Sequence, residues 1–434
     1  MSSTALQPAP RVLDWRKGLA YAALGVPLAF VSLPLYVNLP YHYASALGMP
    51  LPMLGGVMLG VRMLDAFIDP ALGRISDKLF GLGEKVAWGA AAAGSALLAL
   101  AFAALWLPPS RDASSVAPWL AIALLLCTLG YSGVSIVHQT WGTRWGGGPK
   151  LRSRVTGWRE AGTLVGVLLA SALPSWLGWN ATSATLASLL AVGLVGLHRV
   201  REPDPFPQAS APGGRGLSSP GASPWRHAAF RRLLAVFMLN GIASAIPATL
   251  LPFFIADRLQ LASWQAPLLL GYFGAAVLGL PLWVRAAARW GLSPVWRAGM
   301  VASVAAFSVT PWLGRWDGAA FAVVCLLSGL TLGADLALPG ALLTGVIQGT
   351  GSSQRDEGIY LGWWACATKL NLALAAGLAL PLLSAVGYSS GTTAPAGLQA
   401  LAWAYGGLPC LLKLAAVAAL WRAERLNPTW KDRE

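Results

Sequence analysis

Apolar residues in this chain arrive in long unbroken runs rather than in strict alternation or narrow stripes. A run of about 20 apolar residues is long enough to cross a bilayer as a helix. Twelve such runs are predicted, over approximately 18–42, 52–72, 86–107, 117–142, 158–178, 181–198, 229–256, 264–286, 295–314, 319–347, 361–387 and 400–421. No cleavable signal peptide is expected, because the leading tail is polar with prolines and the first run is too long for one. The one long break runs from Arg201 to Arg232 and is rich in Pro, Gly and Ser, which reads as a flexible linker. It leaves six spans on each side. The expected fold is therefore an all-α integral membrane protein, with an N-terminal half at 1–198, a linker at 199–228 and a C-terminal half at 229–434.

Composition sharpens this reading. The 434 residues are 56% hydrophobic and only 11% charged, whereas a soluble domain carries about a quarter charged residues. Net charge is +14, a value that elsewhere would point to nucleic acid. Here the basic residues are not gathered into one patch. With both tails on the cytoplasmic side, 24 of the 31 Lys and Arg fall in cytoplasmic segments and only Arg111, Arg258 and Arg315 on the opposite face. That asymmetry encodes orientation and removes the need for a nucleic-acid partner. Cys127, Cys325, Cys366 and Cys410 lie in apolar runs without close spacing and read as free core thiols.

Ionisable residues inside spans are costly and so carry the information. The second span reads MLGVRMLDAFIDPALGRISDK and places Arg62, Asp65 and Asp69 at i, i+3 and i+7, on one helical face. Such a face must point to the bundle interior or to a water-filled cavity. Two carboxylates there can supply oxygens to a small cation or share a proton; alternatively Arg62 neutralises one of them as a structural ion pair. Lys369 lies too deep to reach either surface and needs a carboxylate, with Asp65 or Asp69 the expected partner. Asp335 reads equally as a local helix-stabilising group beside Pro339 or as a functional one, and Arg159 with Glu160 as a helix-start or gate pair or as a ligand contact. Lys413 is expected to snorkel, and His138 to be a satisfied interior histidine. Gly73 and Asp77 are expected in a cytoplasmic loop.

The motif RMLDAFIDPALGRISDK, the tryptophan-containing stretch ending at Lys369 and GADLALP before it resemble the glycoside–pentoside–hexuronide:cation symporters, the melibiose-permease-like branch of the major facilitator superfamily. The resemblance covers nearly the whole chain and implies the twelve-helix fold of that superfamily. It implies that Asp65, Asp69 and Ser132 bind the coupling cation, Na+ or H+, with Arg62 and Lys369 as neighbouring charges and no other cofactor. It also places Arg159 at a sugar-binding position and Gly73, Asp77 and Arg355 at the inner gate. The branch's sugar-binding acids are replaced by Ala29 and Ser135, its stacking tryptophan by Gln139 with Trp141 nearby, and the amide between its cation-site carboxylates by Ile68. The acidic partners of Arg355 are missing. A rebuilt solute site could draw on Ser135, Gln139, Trp141, Trp158, Trp363, Trp364, Tyr272, Asn240 and Asn371.

The function expected is cation-coupled symport of a small polar solute, a sugar or glycoside, by alternating access. Paired Gly and Pro, such as Gly25 with Pro27 and Gly279 with Pro281, would let the spans pack and bend. The alternatives are a lysolipid or amphiphile carrier of the same superfamily and a non-transporting receptor. No metal cluster, nucleophile elbow or phosphate loop supports an enzyme. The expected setting is a bacterial inner (plasma) membrane, as a monomer among lipid.

Overall fold

The computed structural model describes residues 14–109, 113–144, 149–200, 224–349 and 357–427, so most of the predicted linker and the gate residue Arg355 lie outside the described residues. Among these residues the chain is helical throughout, without strands. The long helices are α1 (Trp15–Ser45), α2 (Leu51–Leu82), α3 (Glu84–Trp106), α4 (Ala113–Arg144), α5 (149–177), α6 (179–199), α7 (Ala228–Arg258), α8 (Gln265–Trp290), α9 (Leu292–Phe307), α10 (Gly318–Gly349), α11 (Glu357–Ala385) and α12 (Pro395–Leu426). Helices α5 and α6 follow each other without a loop. Gly178, at φ 74° and ψ 175°, breaks the helix between them, a conformation that favours glycine. The twelve predicted spans are thus the twelve observed ones.

The two halves echo one another locally. A single glycine of positive φ joins α2 to α3 (Gly83) and α8 to α9 (Gly291). Likewise α1 widens into a π-helical turn at Pro34–Asn38 and α7 does so at Phe254–Arg258. One prediction is corrected. The GRISDK stretch is not a loop: α2 continues unbroken through Gly73 to Leu82 and ends only at Gly83, whose φ of 122° lies outside the helical region.

Without water, helices in a membrane associate by close packing at small residues. Helix α1 lies against α5 and α6 in this way: a Cβ on Gly166 would sit 2.2 Å from Val26 O, one on Gly162 2.5 Å from Ala22 O, and one on Gly196 2.4 Å from Ala20 O. Helix α8 meets α10 through Gly279 and Gly329 with the same intimacy. Across the halves, α2 packs on α11, where Gly55 faces Pro381 and Gly377 faces Leu59.

That inter-half seal sits on one side. Call the side where α1 and α7 begin the tail side. At the far side Asn38 accepts a hydrogen bond from Gln265 at 2.9 Å, and Tyr41 meets the edge of Phe253. The larger core cluster crosses both halves there, joining Leu54 and Met58 to Leu380 and Leu383. The second cluster, around Phe230, Trp296 and Leu420, stays within the C-terminal half. The halves are therefore sealed at the far side.

Within the C-terminal half, Lys413 corrects its prediction. It does not snorkel: it is 6% exposed, and its ammonium donates to Asp335 Oδ2 (2.7 Å), Asn240 Oδ1 (2.8 Å) and Ser244 Oγ (3.2 Å). Asp335 Oδ1 also accepts from Asn240 and from the Trp296 indole, so it ties α7, α9, α10 and α12 together and is no local helix group beside Pro339. Arg297 and Ser293 hold the buried Glu424 in the same half.

Two outcomes follow for purified protein, read as the midpoint of thermal unfolding. Gly166→Ala is expected to lower it because the new methyl meets backbone, while Gly56→Ala, with open space around it, is expected to be neutral or to gain about 0.5–1 kcal/mol. Lys413→Met should cost about 3–5 kcal/mol by stranding Asp335, and Lys413→Met combined with Asp335→Leu should recover much of that loss.

Candidate functional site

Helix α2 separates its faces sharply. Asp65 is 2% and Arg62 5% exposed, while Phe67, two residues on from Asp65, is 75% exposed. The spacing therefore places the charged face inward, as the sequence requires. Helix α4 brings Ser132 to this face, and its hydroxyl donates to Asp65 Oδ1 at 3.2 Å. Helix α11 brings Lys369 from the other half. Its ammonium lies 3.0 Å from Asp65 Oδ2, donates to Asp69 Oδ2, and reaches Ser132 Oγ at 3.2 Å. One amine thus bridges both carboxylates and a hydroxyl across the two halves.

Arg62 lies buried on the same helical face as the two acids. Lys369, not Arg62, is the shared partner of the carboxylates. Arg62 turns to α1, where Nη1 donates to the Tyr36 hydroxyl at 2.9 Å and the guanidinium lies 4.2 Å from the Tyr36 ring centroid. Tyr36 belongs to the π-helical turn of α1, a kind of local distortion common at functional sites. No sequence signal singled it out. Arg62 Nη2 and Asp69 Oδ1 are buried without hydrogen-bond partners. The four formal charges of Arg62, Asp65, Asp69 and Lys369 cancel, so any cation added to the carboxylates leaves the cluster positive.

Access is graded along α2. Asp69, one turn tailward of Asp65, is 28% exposed at its side chain and Lys369 is 20% exposed, against 2% for Asp65. Ser135 and Gln139 continue the Ser132 face of α4 toward the tail side and hydrogen-bond each other at 3.1 Å, with Gln139 exposed. Exposure along this face therefore rises toward the tail side.

Other expected site residues fall elsewhere. Arg159 pairs with its neighbour Glu160 at 2.9 Å and packs over Gly25 of α1, ten residues inside α5 rather than at its start. Trp141 is buried against Phe80, and Trp158 packs over Gly18 of α1. Trp364 stacks on Phe237 of α7 and Trp363 meets Trp225 edge-on. Asn240 belongs to the Lys413 network and Asn371 lies buried over Gly241. His138 is an interior histidine, its Nε2 3.0 Å from Tyr21 O. Gly73 lies in the helix, and the side chain of Asp77 is outside the described residues. Among the described residues no group of three or more His, Cys, Asp or Glu converges as a metal site.

Comparison with known proteins agrees with this architecture. A family profile described as "MFS/sugar transport protein" matches residues 20–425. The fold is similar to the crystal structure of the nucleoside transporter NupG, with TM-score 0.68 and 14% identity, covering 94% of this chain and 99% of that one. It is equally similar to a bacterial homologue of the human lysosomal transporter Spinster in an inward-facing, unoccupied conformation, with TM-score 0.68 and 14% identity over 97% of this chain and 99% of that one. A search of curated protein sequences finds no match. With the family profile spanning nearly the whole chain and the twelve-helix fold to match, the protein belongs to the MFS/sugar transport family of the major facilitator superfamily and is a multi-pass membrane transporter, not an enzyme.

Proposed function

We propose that the protein is a symporter that couples a cation to a small polar solute, a sugar or glycoside, at the Asp65–Asp69–Ser132–Lys369 cluster. The observation that carries this reading is Lys369, whose ammonium occupies oxygens of both carboxylates and of Ser132 from the opposite half. A tethered amine in that place does what a bound cation would do: it neutralises two acids that hydrocarbon cannot tolerate uncompensated. A mobile cation must displace it, and the displaced ammonium is then free to meet solute.

The cation enters from the tail side, which the Lys and Arg bias assigns to the cytoplasm, so this conformation is the inward-open one. Asp69 is its first contact, since it is the more exposed carboxylate and keeps an unpartnered oxygen. We assign the proton as that cation. Ile68 stands where the related symporters carry an amide, which removes a polar neighbour that a sodium ion with its roughly five oxygen ligands would use, whereas a proton needs one carboxylate. Protonating Asp69 removes one negative charge and loosens Lys369, which unties α11 from α2 and α4. The halves then rock about the cluster and exchange the far-side seal for a tail-side one. Ser135 and Gln139 on α4 are the solute contacts this reading favours, since they share the Ser132 face; the sugar-transport family description and a nucleoside transporter of similar fold agree with a sugar-bearing solute.

Reconstituted vesicles test the scheme. An imposed pH gradient is expected to drive accumulation of a member of a panel of glycosides and nucleosides, with a sodium gradient alone ineffective. Accumulation of lysophospholipid instead, or of nothing, would overturn the solute assignment.

Asp69→Asn mimics the protonated acid. It should keep solute exchange within about tenfold of the parent while losing pH-driven accumulation, a tenfold change corresponding to about 1.4 kcal/mol. Asp65→Asn and Lys369→Ala should both abolish accumulation. Unchanged accumulation in Asp65→Asn and Asp69→Asn would mean that the acids carry no coupling.

A further inference from the structure

The C-terminal half contains a cavity of about 120 Å³ that shares no residue with the Lys369 cluster. Its walls come from α7, α8, α9, α10 and α12, with Leu33 and Val37 of α1 joining them. Aliphatic side chains supply much of that wall, and four aromatic rings join them, Tyr272, Phe273, Phe307 and Tyr405. Two of the wall residues, Val37 and Tyr405, sit in π-helical turns, so two helices depart from regular geometry at this place. The polar edge is the Lys413–Asp335 pair with Ser244.

The chemistry of that edge restricts what fits. Lys413 spends its three donors on Asp335, Asn240 and Ser244. Asp335 accepts two hydrogen bonds at Oδ1 but one at Oδ2, leaving an acceptor site, and the Ser244 hydroxyl, which accepts from Lys413, retains its own proton to donate. One acceptor site and one donor remain on the two groups that share the Lys413 ammonium, the complement of a hydroxyl group. The ion pair is neutral in sum, so a charged guest would bring an uncompensated charge into a buried space. The volume is comparable to an engineered cavity of about 150 Å³ that admits benzene.

We propose that this cavity is a ligand-binding site of its own, taking an uncharged one-ring molecule with a hydroxyl group: the ring lies among Tyr272, Phe273, Phe307 and Tyr405, and the hydroxyl meets Asp335 Oδ2 and Ser244. The proposal does not depend on the coupling scheme, because it is read by binding and not by transport.

The test uses the full-length protein in lipid nanodiscs with 4-fluorobenzyl alcohol as probe, followed by fluorine NMR against empty nanodiscs. Saturable binding is expected beyond lipid partitioning, displaced by benzyl alcohol and about tenfold more weakly by benzoate and by benzylammonium, a preference corresponding to one factor of ten in affinity. Val304→Trp, which fills the cavity from α9, is expected to remove the saturable signal. Signal equal to that of empty nanodiscs would overturn the proposal, and so would displacement by either charged congener as strong as by the alcohol. The parent protein alone decides these last two outcomes, whatever the variant does to folding.

Discussion

A charge inside hydrocarbon must find an opposite charge or a path to water, and the architecture of this transporter is organised by that demand. Asp65 and Asp69 on α2 find Lys369 on α11, some three hundred residues further along the chain. The pairing draws the two halves together at mid-depth. It also makes their contact conditional, since whatever neutralises an acid releases the amine. A hydrophobic seam at the same place would hold the halves permanently. An ionic one holds them only while the charges stay as they are.

Close packing supplies the rigid bodies on which such a contact can act. Glycines set α1 against α5 and α6 and α8 against α10 at backbone distance, so each bundle moves as a unit. The seal between bundles is confined to the far side, at Asn38, Tyr41, Gly55 and Gly377. Tailward of Asp69 the walls carry exposed polar groups such as Gln139 and Glu160. A seal at one end and an ionic hinge at mid-depth form the geometry that alternating access requires.

The two buried lysines show how differently the same chemistry can be used. Lys413 has three acceptors inside its own half, and its carboxylate partner is held by an amide and an indole, so nothing in its surroundings changes when the halves move. Lys369 reaches across the moving interface to two acids, one of which keeps an unpartnered oxygen. One lysine is saturated within its own half, and the other joins the two halves with an acid oxygen left unpartnered.

Much of this was legible along the chain. Span number, the break at Gly178, the inward face of Arg62, Asp65 and Asp69, and the need of Lys369 for a carboxylate all follow from run length and helical periodicity, which are local properties. The reach of α2 past Gly73 to Leu82 differs from the loop expected there, since Pro and Gly in the sequence mark a possible stop and do not enforce one. The contact of Arg62 with Tyr36 was not foreseen, and Lys413 was expected to snorkel and instead is fully paired. Both side-chain outcomes concern partners on other helices. The chain by itself determined where along its span each charge lies, since that position is set by run length. Only the tertiary structure decided which charge meets which, since helices far apart in sequence become adjacent through packing of small residues, and no periodicity records that choice.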